Sequence, residues 1–134
     1  MKQQPTYLTT SLRLMAGLLI AGHGIYRIAI LKQYTAYVST EFDFLLPQGA
    51  LSEALIVMFP FAEFFVGALI ISNIAIREAL NLGVFITLIL MAFLMVSSPS
   101  PHIIYHLTTL AVIIWLKSLH RGVLFTSSEL EKSN

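Results

Sequence analysis

Among the ionisable side chains within or at the edges of strongly apolar stretches, seven stand where chemistry could be done: Arg13, His23, Arg27, Glu53, Glu63, His102 and His106. Such a group at the centre of a bilayer costs about 2.5–3.5 kcal/mol on insertion scales, and it normally faces a bundle interior. These residues are therefore the candidates for a ligand site or a polar core. Each has a chemical and a structural reading. Glu63 beside a histidine can pass protons, or it can hold two helices in register. His102 and His106 stand at i, i+4. Such a pair can ligate a metal, hold haem separately or donate to a quinone carbonyl, and can equally bond to neighbouring helices. No H-x-x-E-H or H-E-x-x-H pattern accompanies them, and no metal site is assigned. Arg13 and Arg27 can each clamp a phosphate or carboxylate. Arg13, near a helix end, is expected to snorkel or to cap a neighbour. Arg27 has the better claim to a buried partner.

The elements that carry these residues are apolar helices. The 134-residue chain is 57% hydrophobic and 11% charged, against about 25% charged in a soluble domain. Mean hydropathy is +0.81. A net charge of +1 gives no basic patch for nucleic acid. The absence of cysteine excludes thiol chemistry, disulfides and iron–sulfur ligation. A hydrocarbon core of about 30 Å needs roughly 20 helical residues. Four segments fit: about 8–31, 51–72, 77–96 and 101–119. The chain thus predicts one all-α domain over 1–134, an integral membrane four-helix bundle. The first segment is read as a retained helix and not a cleaved leader, because Arg13 interrupts it and bulky Ile25–Lys32 follows. Thr9, Thr10 or Ser11 could cap its start, and Ser52 could cap the second helix. Ser97–Pro101 breaks the chain before the fourth, with Ser100 as cap. The tail Thr126–Asn134 is polar and expected to fray.

Lys and Arg counts set the orientation. With the N-terminus inside, Lys2, Arg13, Arg77, Lys117, Arg121 and Lys132 fall near the cytoplasmic face. Only Arg27 and Lys32 fall opposite, so the reading is N-in and C-in.

Antiparallel packing of the first two helices places Glu63 level with His23, where an ion pair or neutral hydrogen bond relieves both. Glu53 could pair with Arg27. Gly17, Gly22, Gly24 and Gly67 remove bulk and allow close helix contact. Pro60 should free a carbonyl in the second helix. The fourth-helix histidines are expected level with Tyr26, Arg27 and Glu53, beside Tyr105. The third helix offers only Asn81 and Thr87, and reads as a lipid-facing or packing member. The segment Gln33–Ala50 alternates aromatic with polar residues. It suits the headgroup zone, a partner's surface or an ordinary loop.

The run Leu12-Arg13-Leu14-Met15-Ala16-Gly17-Leu18-Leu19-Ile20-Ala21-Gly22-His23-Gly24 resembles the opening of DoxX-type proteins, in which an Arg precedes a Gly and then a His-Gly pair. Phe61-Ala62-Glu63-Phe64-Phe65-Val66-Gly67-Ala68-Leu69 resembles that family's Glu-x-x-x-Gly helix. The broader group includes MauE-like, redox-associated membrane proteins. The resemblance implies a multi-pass protein of the bacterial cytoplasmic membrane, linked with quinol oxidation, thiol redox or assembly of redox enzymes. It marks Arg13, Gly17, His23, Gly24, Glu63, Gly67 and one fourth-helix histidine.

Two functions remain open. One is a non-catalytic accessory subunit of a larger membrane complex or homo-oligomer, its polar interior serving as internal glue. The other is a redox-linked protein that binds quinol or another small lipophile between the first, second and fourth helices. A carrier or channel component is a third option. No cofactor is assigned; quinone is the ligand class left open.

Overall fold

A computed structural model describes residues 6–44, 49–96 and 102–131, with side chains over 7–44, 49–96 and 103–119. Among the described residues the fold is all-helical: α1 Thr6–Ala29, α2 Leu31–Glu41, α3 Ala50–Ser72, α4 Ile76–Val96 and α5 His102–Glu131. The expected break at Ser97–Pro101 and the side chain of His102 lie outside the described residues.

Among the described residues, three helices are long and apolar enough to cross a membrane: Tyr7–Ala29, Ala50–Ser72 and Ile76–Val96. The apolar part of α5, Ile103–Leu119, is shorter. Large apolar side chains face outward on every one of these helices, Leu18, Met58, Phe65, Phe85 and Trp115 among them. Helices that are apolar outside as well as inside suit lipid better than water.

The core lies where α1, α3, α4 and α5 meet. Ile70, Leu80, Ile113 and Leu116 are fully enclosed there. α4 is a packing member: Ala79, Leu80, Gly83, Ile86, Thr87 and Leu90 turn inward, and Thr87 satisfies its hydroxyl on the Gly83 carbonyl at 2.8 Å.

α1 and α3 form the closest pair, and glycine is the reason. A Cβ on Gly24 would stand 2.7 Å from the Pro60 carbonyl, and one on Gly67 would stand 2.7 Å from the Gly17 carbonyl. Those distances leave room for hydrogen only. Gly22 is different. It is exposed and a Cβ there would meet nothing within 4 Å among the described residues, so it does not serve packing between the described helices. We expect Gly22→Ala to stabilise the protein by up to about 1 kcal/mol through helix propensity. Thermal unfolding in detergent measures this.

The turn between α3 and α4 is as short as the sequence suggests. Asn73 adopts the left-handed conformation at φ 60. Its N–H reaches the Ile70 carbonyl, while the Ile74 N–H reaches Leu69 at 3.1 Å. This pattern closes the helix and satisfies its last carbonyls.

Four local expectations need correction. Helix α1 is described over Thr6–Ala29, so Thr9, Thr10 and Ser11 lie inside it and do not cap it. α3 is preceded by Gly49 at φ 107, a conformation that favours glycine, and Ser52 sits buried in the first turn. α5 continues past Leu119 to Glu131, since no proline stops its hydrogen-bond ladder. The Gln33–Ala50 segment is helical as far as Glu41. The chain only bends at Ile30, where the Tyr34 N–H still reaches the Ile30 carbonyl at 2.9 Å. Of the readings open for this segment, an ordinary loop does not hold over residues 33–41. Residues 31–41 hold no glycine or proline, and Thr35 and Thr40 return their hydroxyls to helix carbonyls. After α2, Phe42 buries its ring edge-on against Phe93, with centroids 5.1 Å apart.

Candidate functional site

The α1–α3 register follows from the glycines. Gly24 faces Pro60 and Phe64, while Gly17 faces Gly67 and Ile71. His23 is therefore level with Glu63, as expected, and Arg27 is level with Phe59. Cα–Cβ bonds tilt toward a helix's own N-terminus. In an antiparallel pair, Arg27 and Glu63 thus lean toward one another.

Both oxygens of Glu63 are taken. Arg27 Nη1 donates to Oε2 at 3.0 Å, and His23 Nδ1 meets Oε1 at 3.0 Å. A carboxylate can only accept, so Nδ1 carries the proton of that bond; in a neutral ring Nε2 is then an acceptor. Glu63 is 3% exposed. Removed from water, it has two donors in place of solvent, one of them always charged.

Aromatic rings surround this knot. The His23 ring stands 4.8 Å from Tyr105 and 5.0 Å from His106, the latter edge-on at 80°. The Tyr105 hydroxyl donates to the Leu19 carbonyl, tying α5 to α1. Arg27 lies over the Tyr34 ring with its guanidinium carbon 5.1 Å from the centroid, a cation–π contact. Burial pushes the Tyr34 hydroxyl above its usual range; Arg27 partly opposes this and Glu63 adds to it.

The structure brings together His23, Arg27, Glu63 and His106 from the expected set. His106 packs at the level of His23, one turn deeper than the Arg27 level expected for it. The Glu53–Arg27 pair does not form. Glu53 lies six residues along α3 from the level of Arg27, about 9 Å at the helical rise. It is exposed, and the two ion pairs among the described residues both use Glu63. Arg13 stands apart from this cluster near the start of α1. Its Nε is buried without a hydrogen-bond partner among the described residues. No group of three or more His, Asp or Glu able to hold a metal occurs among the described residues.

Tyr34 was missed as a partner of Arg27. The signal was its position seven residues on, two turns along one face had the helix been carried through Ile30.

Two recesses border the knot. One is a half-open apolar cavity of about 290 Å³ between α2, α3 and α4, with Arg27 in its wall. The other is a wide, shallow groove between α1 and α5, lined by Leu18, Leu19 and Tyr105 among others. Neither is the pocket expected among the first, second and fourth helices around Glu63, because Arg27 and His23 occupy both of its oxygens.

No family model, curated protein or solved structure matches the chain.

Proposed function

We propose that the chain is a small accessory subunit of a larger complex in the bacterial inner membrane, crossing the bilayer four times with both termini inside. The observation that carries the non-catalytic reading is the closure of Glu63: Arg27 and His23 fill both oxygens. A mid-span carboxylate held on both sides serves as a joint between helices, and no catalytic residue is proposed. Five of the residues marked by the DoxX likeness fit such a joint, while Arg13 lies apart from it. Gly17, His23, Gly24, Glu63 and Gly67 all lie at the contact between α1 and α3.

α5 supplies the fourth crossing in this reading. Its partners support that. It packs against α1 and α4 and contributes Ile113 and Leu116 to the common core.

The chain has no cysteine, so single introduced thiols report topology cleanly. In intact cells a membrane-impermeant maleimide should label Ser39→Cys. It should label Glu78→Cys and Ser133→Cys only after permeabilisation. If Ser133→Cys reacts together with Ser39→Cys, α5 is no crossing and the four-span reading fails. Purification in mild detergent tests the accessory role: a larger membrane protein should co-purify in fixed ratio.

The second reading is a redox-linked membrane protein that holds quinol. One observation favours it. Tyr105, in contact with His23 and His106, opens onto the groove between α1 and α5. Quinone extracted with the wild-type protein, and missing from Tyr105→Phe, would select this reading over the first.

A further inference from the structure

We infer that the cavity between α2, α3 and α4 binds a small uncharged lipophile, taken head-first from the bilayer with an acceptor oxygen against Arg27. This cavity shares Arg27 with the Glu63 joint but lies on the other side of it, and it does not depend on the accessory-subunit reading. It requires only that these helices lie in a membrane.

The cavity's volume, about 290 Å³, sits at the lower edge of the range for ligand pockets, about 300–1,000 Å³. Its wall is almost wholly aliphatic and aromatic. Phe59 and Leu90 line the sides, and Tyr34 and Val38 of α2 form part of the cover. An apolar space that combines aromatic walls with a few polar groups is the usual make-up of a small-molecule site. Arg27 is the one charged group here, and Tyr34 and Tyr37 also line the wall.

Charge selects the occupant. The Arg27 guanidinium already faces the Glu63 carboxylate. An added anion would leave a net negative charge among apolar walls, and an added cation would face Arg27. A neutral molecule leaves the balance intact. Arginine has five N–H donors and no acceptor. The bond to Glu63 uses one donor, so the complementary group is a carbonyl, ether or hydroxyl oxygen.

Depth selects the source. Arg27 reaches the level of Glu63, deep along α3, whereas Leu55 and Leu94 line the cavity nearer the helix ends. The polar end of the site is thus its inner end. A phospholipid keeps its ester oxygens at the surface and its methyl termini inside, the reverse arrangement. A free lipophile can enter oxygen-first.

Benzophenone tests this on the full chain in phospholipid nanodiscs. It is an uncharged aromatic ketone that inserts into nearby C–H bonds under light. Its adducts should map to α2, α3 and α4 around Phe59 and Leu90. The competitors are 9-fluorenone and fluorene, of the same shape with and without the oxygen. Fluorenone should protect about tenfold better, the weight of one bond to a charged donor. In the paired variant Arg27→Met with Glu63→Met that preference should vanish while labelling persists. Val38→Trp, or Leu55→Trp if the first does not fold, should fill the space and abolish labelling. Equal protection by fluorene would overturn the inference, as would labelling that survives both filling variants. So would adducts that form in detergent and disappear in nanodiscs, which would assign the cavity to lipid acyl chains.

Discussion

Glu63→Leu destabilises the protein by about 3–5 kcal/mol, and adding Arg27→Leu restores most of that loss. The first substitution strands a guanidinium that is almost entirely withdrawn from solvent, its side chain 13% exposed. Removing one partner of a buried pair leaves an uncompensated charge, and that accounts for the loss. Replacing both partners by apolar groups removes the charge together with its counter-charge, and such swaps are often neutral or better. The order of damage is therefore Glu63→Leu or Arg27→Leu worst, the double variant mild. Unfolding of purified protein in mixed detergent micelles measures it. If the double variant is as unstable as the worse single one, the pair is not what Glu63 contributes.

The same geometry changes what Glu63→Gln should do. A carboxylate that met only His23 could be replaced by an amide with little loss, because an amide oxygen also accepts a hydrogen bond. Arg27 removes that tolerance. Glutamine keeps a bond to His23 and offers Arg27 no charge. We expect Glu63→Gln to fall between wild type and Glu63→Leu in the same unfolding measurement. Stability equal to wild type would mean that the Arg27 contact carries no charge pairing.

Three long apolar helices were legible in the sequence because such runs are read by counting. The level of His23 and Glu63 was legible too. Two antiparallel helices of fixed rise, with glycines at Gly17, Gly24 and Gly67, leave few ways to align. What could not be counted was side-chain reach. Arg27 was assigned to Glu53 by level, yet its long side chain leans back along α1 toward Glu63. Gly22 carried the same one-letter signal as Gly24, but the direction it faces depends on where α3 lies. Likewise, aromatic–polar alternation in residues 33–44 could not reveal that α2 would form. Its helix covers a cavity whose far wall belongs to α4, distant in sequence.

Gly67→Val should be the most damaging single change outside the charged joint. A side chain at Gly67 would overlap the Ala21 backbone nitrogen, and its first carbon would come within 2.6 Å of the Ala21 Cβ. None of those atoms is the end of a flexible chain that can swing aside. The helices must part, and separation acts on everything that depends on their contact. Overpacking alone costs about 1–3 kcal/mol. Moving α1 from α3 also stretches the bonds of His23 and Arg27 to Glu63, one turn away. Their loss exposes the buried-charge penalty already argued for Glu63→Leu. Gly67→Ala should show the smaller part of this effect and Gly67→Val the whole. Combining Gly67→Val with the double Arg27→Leu, Glu63→Leu background separates the two costs: with no charges left to strand, the additional loss should shrink to the overpacking share. An unchanged loss in that background would mean that the two contacts are energetically independent, and that glycine does not position the charged joint.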